Sequence, residues 1–278
     1  MLKSFLVPVD GSEYSTAAAG YAATLAGREG GQVSLLSVID ITSLEGPFLA
    51  DLSGSVGITP FLDFQKQVRA ALEEKAALIL ENHAAELKER NVDFSTKVET
   101  GVVSRVICQE AAEHDAIVVG RRGEHATWKG LLLGSVVEEV VRGCARPVIV
   151  TPRDEKPLTK ILVAYDGSRT ASRALSLAAA MAGSHDLPVA VVTVSGDSEA
   201  GEKILDEAET FLEPHGVAVE KILETGQAVE GILAACEAAN CDIIIMGAYG
   251  HSRVRELIVG STTDGILRKA GVPVLLYR

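Results

Sequence analysis

Leu6-Val7-Pro8-Val9-Asp10-Gly11-Ser12 returns in the second half of the chain as Leu162-Val163-Ala164-Tyr165-Asp166-Gly167-Ser168. The correspondence continues in order. Glu99-Thr100-Gly101 recurs as Glu224-Thr225-Gly226, Asp115 to Gly120 as Asp242 to Gly247, Gly134-Ser135 as Gly260-Ser261, and Pro147-Val148 as Pro273-Val274. Matches in one unbroken order mark a duplication, so the 278 residues read as one domain over 1–153 and a second over 158–278. The charged segment from Pro152 to Pro157, closed by a proline at each end, reads as the linker.

Within each copy, β-branched runs alternate with helical stretches. In the first, Phe5–Val9, Val33–Val38, Asp93–Glu99, Ala116–Val119 and Val148–Thr151 read as strands, with a helix from about Ser15 to Gly27 after the first. Strand–helix alternation implies right-handed βαβ units, hence an α/β fold of two tandem doubly wound, five-stranded parallel sheets. The composition agrees: 47% of residues are apolar but only 4% aromatic, as suits strands covered on both faces by aliphatic side chains.

The copies differ most over about 40–70, an insertion in the first. Asp40 to Pro60 reads as a loop, followed by a long helix whose apolar face carries Phe61, Phe64, Val68, Leu72, Ala76, Ile79 and Leu87. His83 falls on that stripe and reads as a packed histidine, with no second ligand at a useful spacing.

Charge and composition exclude several functions. A net charge of −12 with no basic run argues against nucleic acid. No apolar run reaches the length of a membrane span, and the first residues lead directly into a strand, so a cytoplasmic protein is expected. Cys108, Cys144, Cys236 and Cys241 show neither a disulfide framework nor zinc-site spacing, and no chemistry is expected of them.

Ligands of doubly wound sheets bind beyond the carboxyl ends of the strands, which is where the remaining motifs fall. In the second copy, strand Asp242–Met246 runs into Gly247-Ala248-Tyr249-Gly250, then nine residues, then Gly260-Ser261-Thr262-Thr263. Glycines let a ligand approach the backbone, and a helix opening at Gly260-Ser261 offers free N–H groups to an anion. The three hydroxyls add donors, and Asp166 emerges at the same edge to accept from a ribose or to hold a metal ion between phosphates. Together these parts suit a mononucleotide.

A strand followed by Gly-x-x-Gly, nine residues and Gly-Ser/Thr, with Asp-Gly-Ser after strand one, resembles the ATP-binding signature of the universal stress proteins, and the resemblance spans the chain twice. It implies an adenine nucleotide alpha-hydrolase-like fold and bound ATP, with or without Mg²⁺ at Asp166. By position it places Ala164, Tyr165, Asp166 and Val194 around adenine and ribose. Met246, Gly247, Gly250, Gly260, Ser261, Thr262 and Thr263 take the rest of the nucleotide, with His251 and Arg253 within reach of the γ-phosphate. In the first copy Pro8, Val9, Asp10, Gly120, Gly123, Gly134 and Ser135 are the corresponding candidates. There, however, ten residues separate Gly123 from Gly134, and Val136 and Val137 stand where the second copy has threonines. The extra residue rotates the downstream segment by about 100° in a helix, or is absorbed in a loop. Arg121 and Arg122 are candidate phosphate partners.

Neither copy carries G-x-x-x-x-G-K-[ST], G-x-G-x-x-G after strand one, or G-x-S-x-G. The expected function is therefore a regulatory, stress-response module with no catalytic residue and at most slow ATP hydrolysis. Two alternatives stand: an ATP-consuming enzyme of the adenylating type, and a nucleotide-free interaction scaffold. The resemblance further implies that Val148–Thr151 and Val274–Tyr277 pair, so that one chain forms a pseudo-dimer. An unidentified protein partner and a homodimer through the inserted helix complete the expectation.

Overall fold

The computed structural model describes residues 2–40, 58–124, 133–248 and 260–278, with backbone alone at 29 and 58–65. In the first half, β1 (Ser4–Pro8), α1 (Glu13–Glu29) and β2 (Gln32–Asp40) are followed by α2 (Ile58–Glu89), β3 (Asp93–Gly101), α3 (Val103–Glu110), β4 (Ala116–Gly120), α4 (Ser135–Gly143) and β5 (Val148–Thr151). The second half repeats the plan with β6 (Ile161–Ala164), α5 (Arg169–His185), β7 (Val189–Val194), α6 (Ser198–Leu212) and β8 (Val219–Glu224). It ends with α7 (Ala228–Ala238), β9 (Ile243–Gly247), α8 (Ser261–Lys269) and β10 (Val274–Tyr277). The inserted helix runs from Ile58 to Glu89, as the apolar face from Phe61 to Leu87 leads one to expect. The stretch from 41 to 57, read as a loop, lies outside the described residues.

All ten strands form one sheet in the order β3-β2-β1-β4-β5-β10-β9-β6-β7-β8, so the second half mirrors the first about the centre. Every neighbouring pair is parallel except the central one, where β5 and β10 run antiparallel with Ile149 opposite Leu275. The pairing expected of the two final strands is thus present within one chain, and it removes two edges that would otherwise be open to another sheet.

The inner strands are buried on both faces, which accounts for their unbroken Val/Ile/Leu runs, whereas the outer strands β3 and β8 are more exposed and mix polar with apolar residues. One layer contains α1, α2, α5 and α6; the other contains α3, α4, α7 and α8. Each apolar layer extends across both halves.

The segment between the halves is fastened rather than loose. Arg90, just beyond α2, makes two contacts of 2.7 and 2.8 Å to the Glu155 carboxylate. The Tyr21 hydroxyl accepts from Lys156 N at 2.9 Å and donates to the Asp154 carbonyl at 3.3 Å.

The cysteines depart from the expectation of no chemistry. Cys108 in α3 and Cys144, which caps the end of α4, form a disulfide with Cα atoms 4.9 Å apart. Their separation of 36 residues gives no signal in the sequence; packing of α3 against α4 brings them together. Cys236 and Cys241 are free and buried.

Candidate functional site

Strand order reverses at β1, with β2 on one side and β4 on the other, and a cavity of about 610 Å³ opens there at the carboxyl ends. That volume is in the range typical of small-molecule sites, roughly 300–1,000 Å³. Pro8 at the end of β1, Val9 and Asp10 just after it, and Ser37 to Asp40 of β2 line one side. Gly120 at the end of β4 and Arg122, Gly123 and Glu124 after it line another. Helix α2 covers the apolar side with Leu72, Ala76 and Ile79, while Val103 and Ile107 of α3 and residues 133–137 close the far wall.

The helix N-termini are of two kinds, those with a side-chain cap and those without. Ser12 caps α1 by accepting from Ser15 N, Ser168 caps α5 through Ala171 N, and Asp197 caps α6 through two backbone N–H groups. No side-chain cap hydrogen bond is present at Val102 before α3 or at Gly134 before α4. The N–H groups of a helix's first turn have no partner inside the helix and carry its positive dipole end, so α4 presents anion-binding donors at Ser135, Val136 and Val137. The second half repeats the device. Both α7 and α8 start uncapped, at Gln227 and Gly260, and a second cavity of about 380 Å³ lies between their N-termini, lined in part by Ser261 and Thr262.

Asp10 organises the other end of the first cavity. One carboxylate oxygen accepts from Ser12 N at 3.0 Å and Ser12 Oγ at 2.6 Å; the other accepts from Glu124 N at 2.7 Å. The glycine loop therefore closes on the strand-one carboxylate, and a Cβ on Gly123 would sit 2.6 Å from Asp10 Oδ2. Gly120 has a packing reason of its own, since a Cβ there would meet the backbone of Tyr14 at 2.7 Å. Gly247 stands in the same relation to Thr170. Gly134 N donates to the Arg121 carbonyl at 3.1 Å and ties the start of α4 to the end of β4.

In the second half, Ala164, Asp166, Val194, Met246, Gly247 and Gly260 to Thr263 are described, whereas Gly250, His251 and Arg253 lie outside the described residues. Asp166 accepts from Ser168 N at 3.0 Å, as Asp10 does from Ser12. Two candidates have other duties. The Tyr165 ring is buried in the α5 layer, and its backbone N–H and C=O are taken by Val192 O and Thr193 Oγ1. Thr263 is buried and donates its hydroxyl to the Ala248 carbonyl at 3.1 Å, which holds the loop.

The two arginines also part company. Arg122 lines the cavity. Arg121 crosses to the second half and donates to the Arg268 carbonyl at 3.3 Å and to the Ala270 carbonyl, which lie at the end of α8. Replacing it with methionine should cost about 1–3 kcal/mol, because those carbonyls lose their partner, and should leave ligand affinity unchanged. Urea denaturation and ligand titration of Arg121→Met measure the two. Lys75 was not among the sequence candidates. It reaches from α2 to Glu124 at 2.7 Å across the cavity, on a helix the glycine motif does not include. His83 is buried one turn beyond Ile79, whose carbonyl accepts from Nδ1 at 2.8 Å, so it is a packed residue outside the cavity lining.

Comparison with known proteins adds to this geometry. The model of the universal stress protein family matches residues 1–152, 157–210 and 195–278. The chain is 35% identical to the universal stress protein Slr1230 of Synechocystis sp. over all of both chains. It is 24% identical to Rv2005c of Mycobacterium tuberculosis, over 98% of this chain and 96% of that one. The crystal structure of a universal stress protein from Archaeoglobus fulgidus superposes with a TM-score of 0.79 at 25% identity, covering 100% of this chain and 99% of the other. With the family matched in each half, the mirrored halves, the carboxyl-edge cavity and the paired final strands make one consistent picture: this chain belongs to the universal stress protein family.

Proposed function

We propose that the chain is an ATP-binding regulatory protein whose first half, over 1–153, holds the nucleotide in the carboxyl-edge cleft. Adenine and ribose fit against the ends of β1 and β2, where Pro8, Val9 and Asp10 supply an apolar floor and a carboxylate acceptor. The triphosphate lies along Gly120, Gly123 and Gly134 and ends at Ser135 and the free N–H groups of α4. The observation that carries this reading is the uncapped N-terminus of α4 at one end of a roomy cleft whose other end is an Asp10 carboxylate.

A second, non-equivalent site in 158–278 uses Ala164, Asp166, Val194, Met246, Gly247, Gly260, Ser261 and Thr262, with Gly250, His251 and Arg253 closing it. The uncapped starts of α7 and α8 support it. Among the described residues no group of three or more metal-ligating side chains occurs, so Mg²⁺ at Asp166 would share its coordination with phosphate. Neither copy has the lysine of a G-x-x-x-x-G-K-[ST] loop, which favours nucleotide sensing over turnover. A cytoplasmic location, a protein partner that reads the nucleotide state, and a homodimer through α2 belong to the same proposal.

Calorimetric titration of Mg-ATP into nucleotide-free protein tests it. Wild type should bind, and Gly123→Ala, which forces the loop off Asp10, should bind at least about tenfold more weakly, a loss near 1.4 kcal/mol. No binding by refolded wild type would end the proposal.

A further inference from the structure

The Cys108–Cys144 disulfide ties together the two helices that form the far wall of the first cleft. Helix α3 contributes Val103 and Ile107 to that wall, and Cys108 comes directly after Ile107. Helix α4 contributes its first turn, and Cys144 stands at its opposite end, roughly 14 Å along the axis at 1.5 Å per residue. Nearer the cleft, Ser104 Oγ donates to Glu139 and joins the same two helices a second time. Two further contacts of α4 lead to the second half: Arg268 to Glu138 at 3.2 Å, and Arg278 to the Arg142 carbonyl at 2.6 Å. The covalent bond adds to the packing of Val140 and Val141 in holding α4 to its own half at the end remote from the cleft.

The two cysteines differ in exposure. Cys108 is half-buried and Cys144 is 2% exposed. The second half has no counterpart, since Ala270 occupies the position of Cys144 and the remaining cysteines, Cys236 and Cys241, are free. Burial pushes their thiols up to about 11 and about 12, so at neutral pH they are protonated and do not act as exchange nucleophiles.

We propose that Cys108–Cys144 is a reversible redox-modification site that sets the nucleotide affinity of the first cleft. The regulatory half of this inference rests on the nucleotide reading above. The reactant is a dithiol reductant. One of its thiolates attacks Sγ of Cys108, the more exposed of the two cysteines, forming a mixed disulfide while the Cys108–Cys144 bond breaks and its electron pair leaves on Cys144 Sγ, which takes a proton. The reductant's second thiolate then attacks its own sulfur in the mixed disulfide and expels the Cys108 thiolate, which is protonated in turn. Two electrons and two protons pass to the protein, and the reductant ends as a disulfide. With the bond open, α3 and α4 can separate at their far ends, and the N–H groups of Ser135 to Val137 lose their fixed aim at the phosphates. The reverse exchange, in which an oxidised dithiol takes up the two electrons and two protons, re-forms the bond and restores it.

The test titrates Mg-ATP into oxidised wild type, into wild type reduced by a phosphine with free thiols counted, and into Cys108→Ser/Cys144→Ser. Reduction should weaken binding about fivefold or more, the low end of allosteric couplings, and the double variant should match the reduced protein whether or not reductant is present. Cys236→Ser should respond to reduction as wild type does. Equal affinity in the oxidised and reduced wild type would overturn the proposed regulation. If neither form binds ATP, the nucleotide reading fails, and hydrogen exchange then decides the rest: amides of α4 that exchange no faster after reduction would overturn the mechanical role of the bond.

Discussion

Val136→Glu should weaken Mg-ATP binding by at least about 100-fold while leaving the protein folded. Val136 is the second residue of α4, half-buried, and lines the cleft beside the N–H groups assigned to phosphate. A carboxylate in the first turn of a helix suits the dipole and is worth a few tenths to about 1 kcal/mol in stability. The same carboxylate about 4 Å from a phosphate oxygen costs about 4 kcal/mol at an effective dielectric constant of 20, which is where the loss in affinity originates. Val136→Thr, which installs the residue found at Thr262 in the other copy, should bind at least as well as wild type. Calorimetry gives the affinities and thermal unfolding confirms the fold; unchanged affinity in Val136→Glu would place the phosphates elsewhere.

Ile149→Asp should destabilise the whole chain by more than about 4 kcal/mol, the range reached when a charge is buried without a partner. Ile149 is fully buried on β5 and faces Leu275, also fully buried, across the centre of the sheet. Both belong to the apolar layer shared by α1, α2, α5 and α6, so the damage is not confined to one half. Hydrogen exchange should show protection falling together in β1 and β6, the central strands of the two halves. Loss in the first half alone would mean that the halves fold independently of their seam.

The sheet was legible in the sequence because each strand is a short apolar run with a helix after it, and because the duplication supplied a second reading of every element. Pairing of the last strands was an expectation of family resemblance and is seen directly in the register of Val148 to Val150 with Val274 to Leu276. The site was read less completely. Motif spacing favoured the second copy, where Gly250 and Gly260 are nine residues apart and threonines come next, yet the large described cavity lies in the first. The reason is α2. Its Leu72, Lys75 and Ile79 wall the first cleft from a helix remote in sequence from the glycine loop, and no spacing rule includes them.

Other contacts were hidden for the same reason. Neighbouring arginines look alike as letters, but Arg121 turns across the seam to the carbonyls ending α8 while Arg122 lines the cleft. Thr263 looked like a phosphate donor and proves to be a loop fastener. Cys108 and Cys144 have no recognisable spacing because their meeting depends on how two helices pack. Each is a tertiary fact, set by the element across the interface rather than by neighbours in the chain.

Photolabelling with 8-azido-ATP and peptide mapping of the adducts tests the central claim most directly. Label should appear in peptides containing Pro8 to Asp10, Ser37 to Asp40 or Leu72 to Ile79, be suppressed by excess ATP, and drop in Asp10→Ala. Label that excess ATP does not suppress, or that is absent from all three segments of the first cleft, would contradict the account.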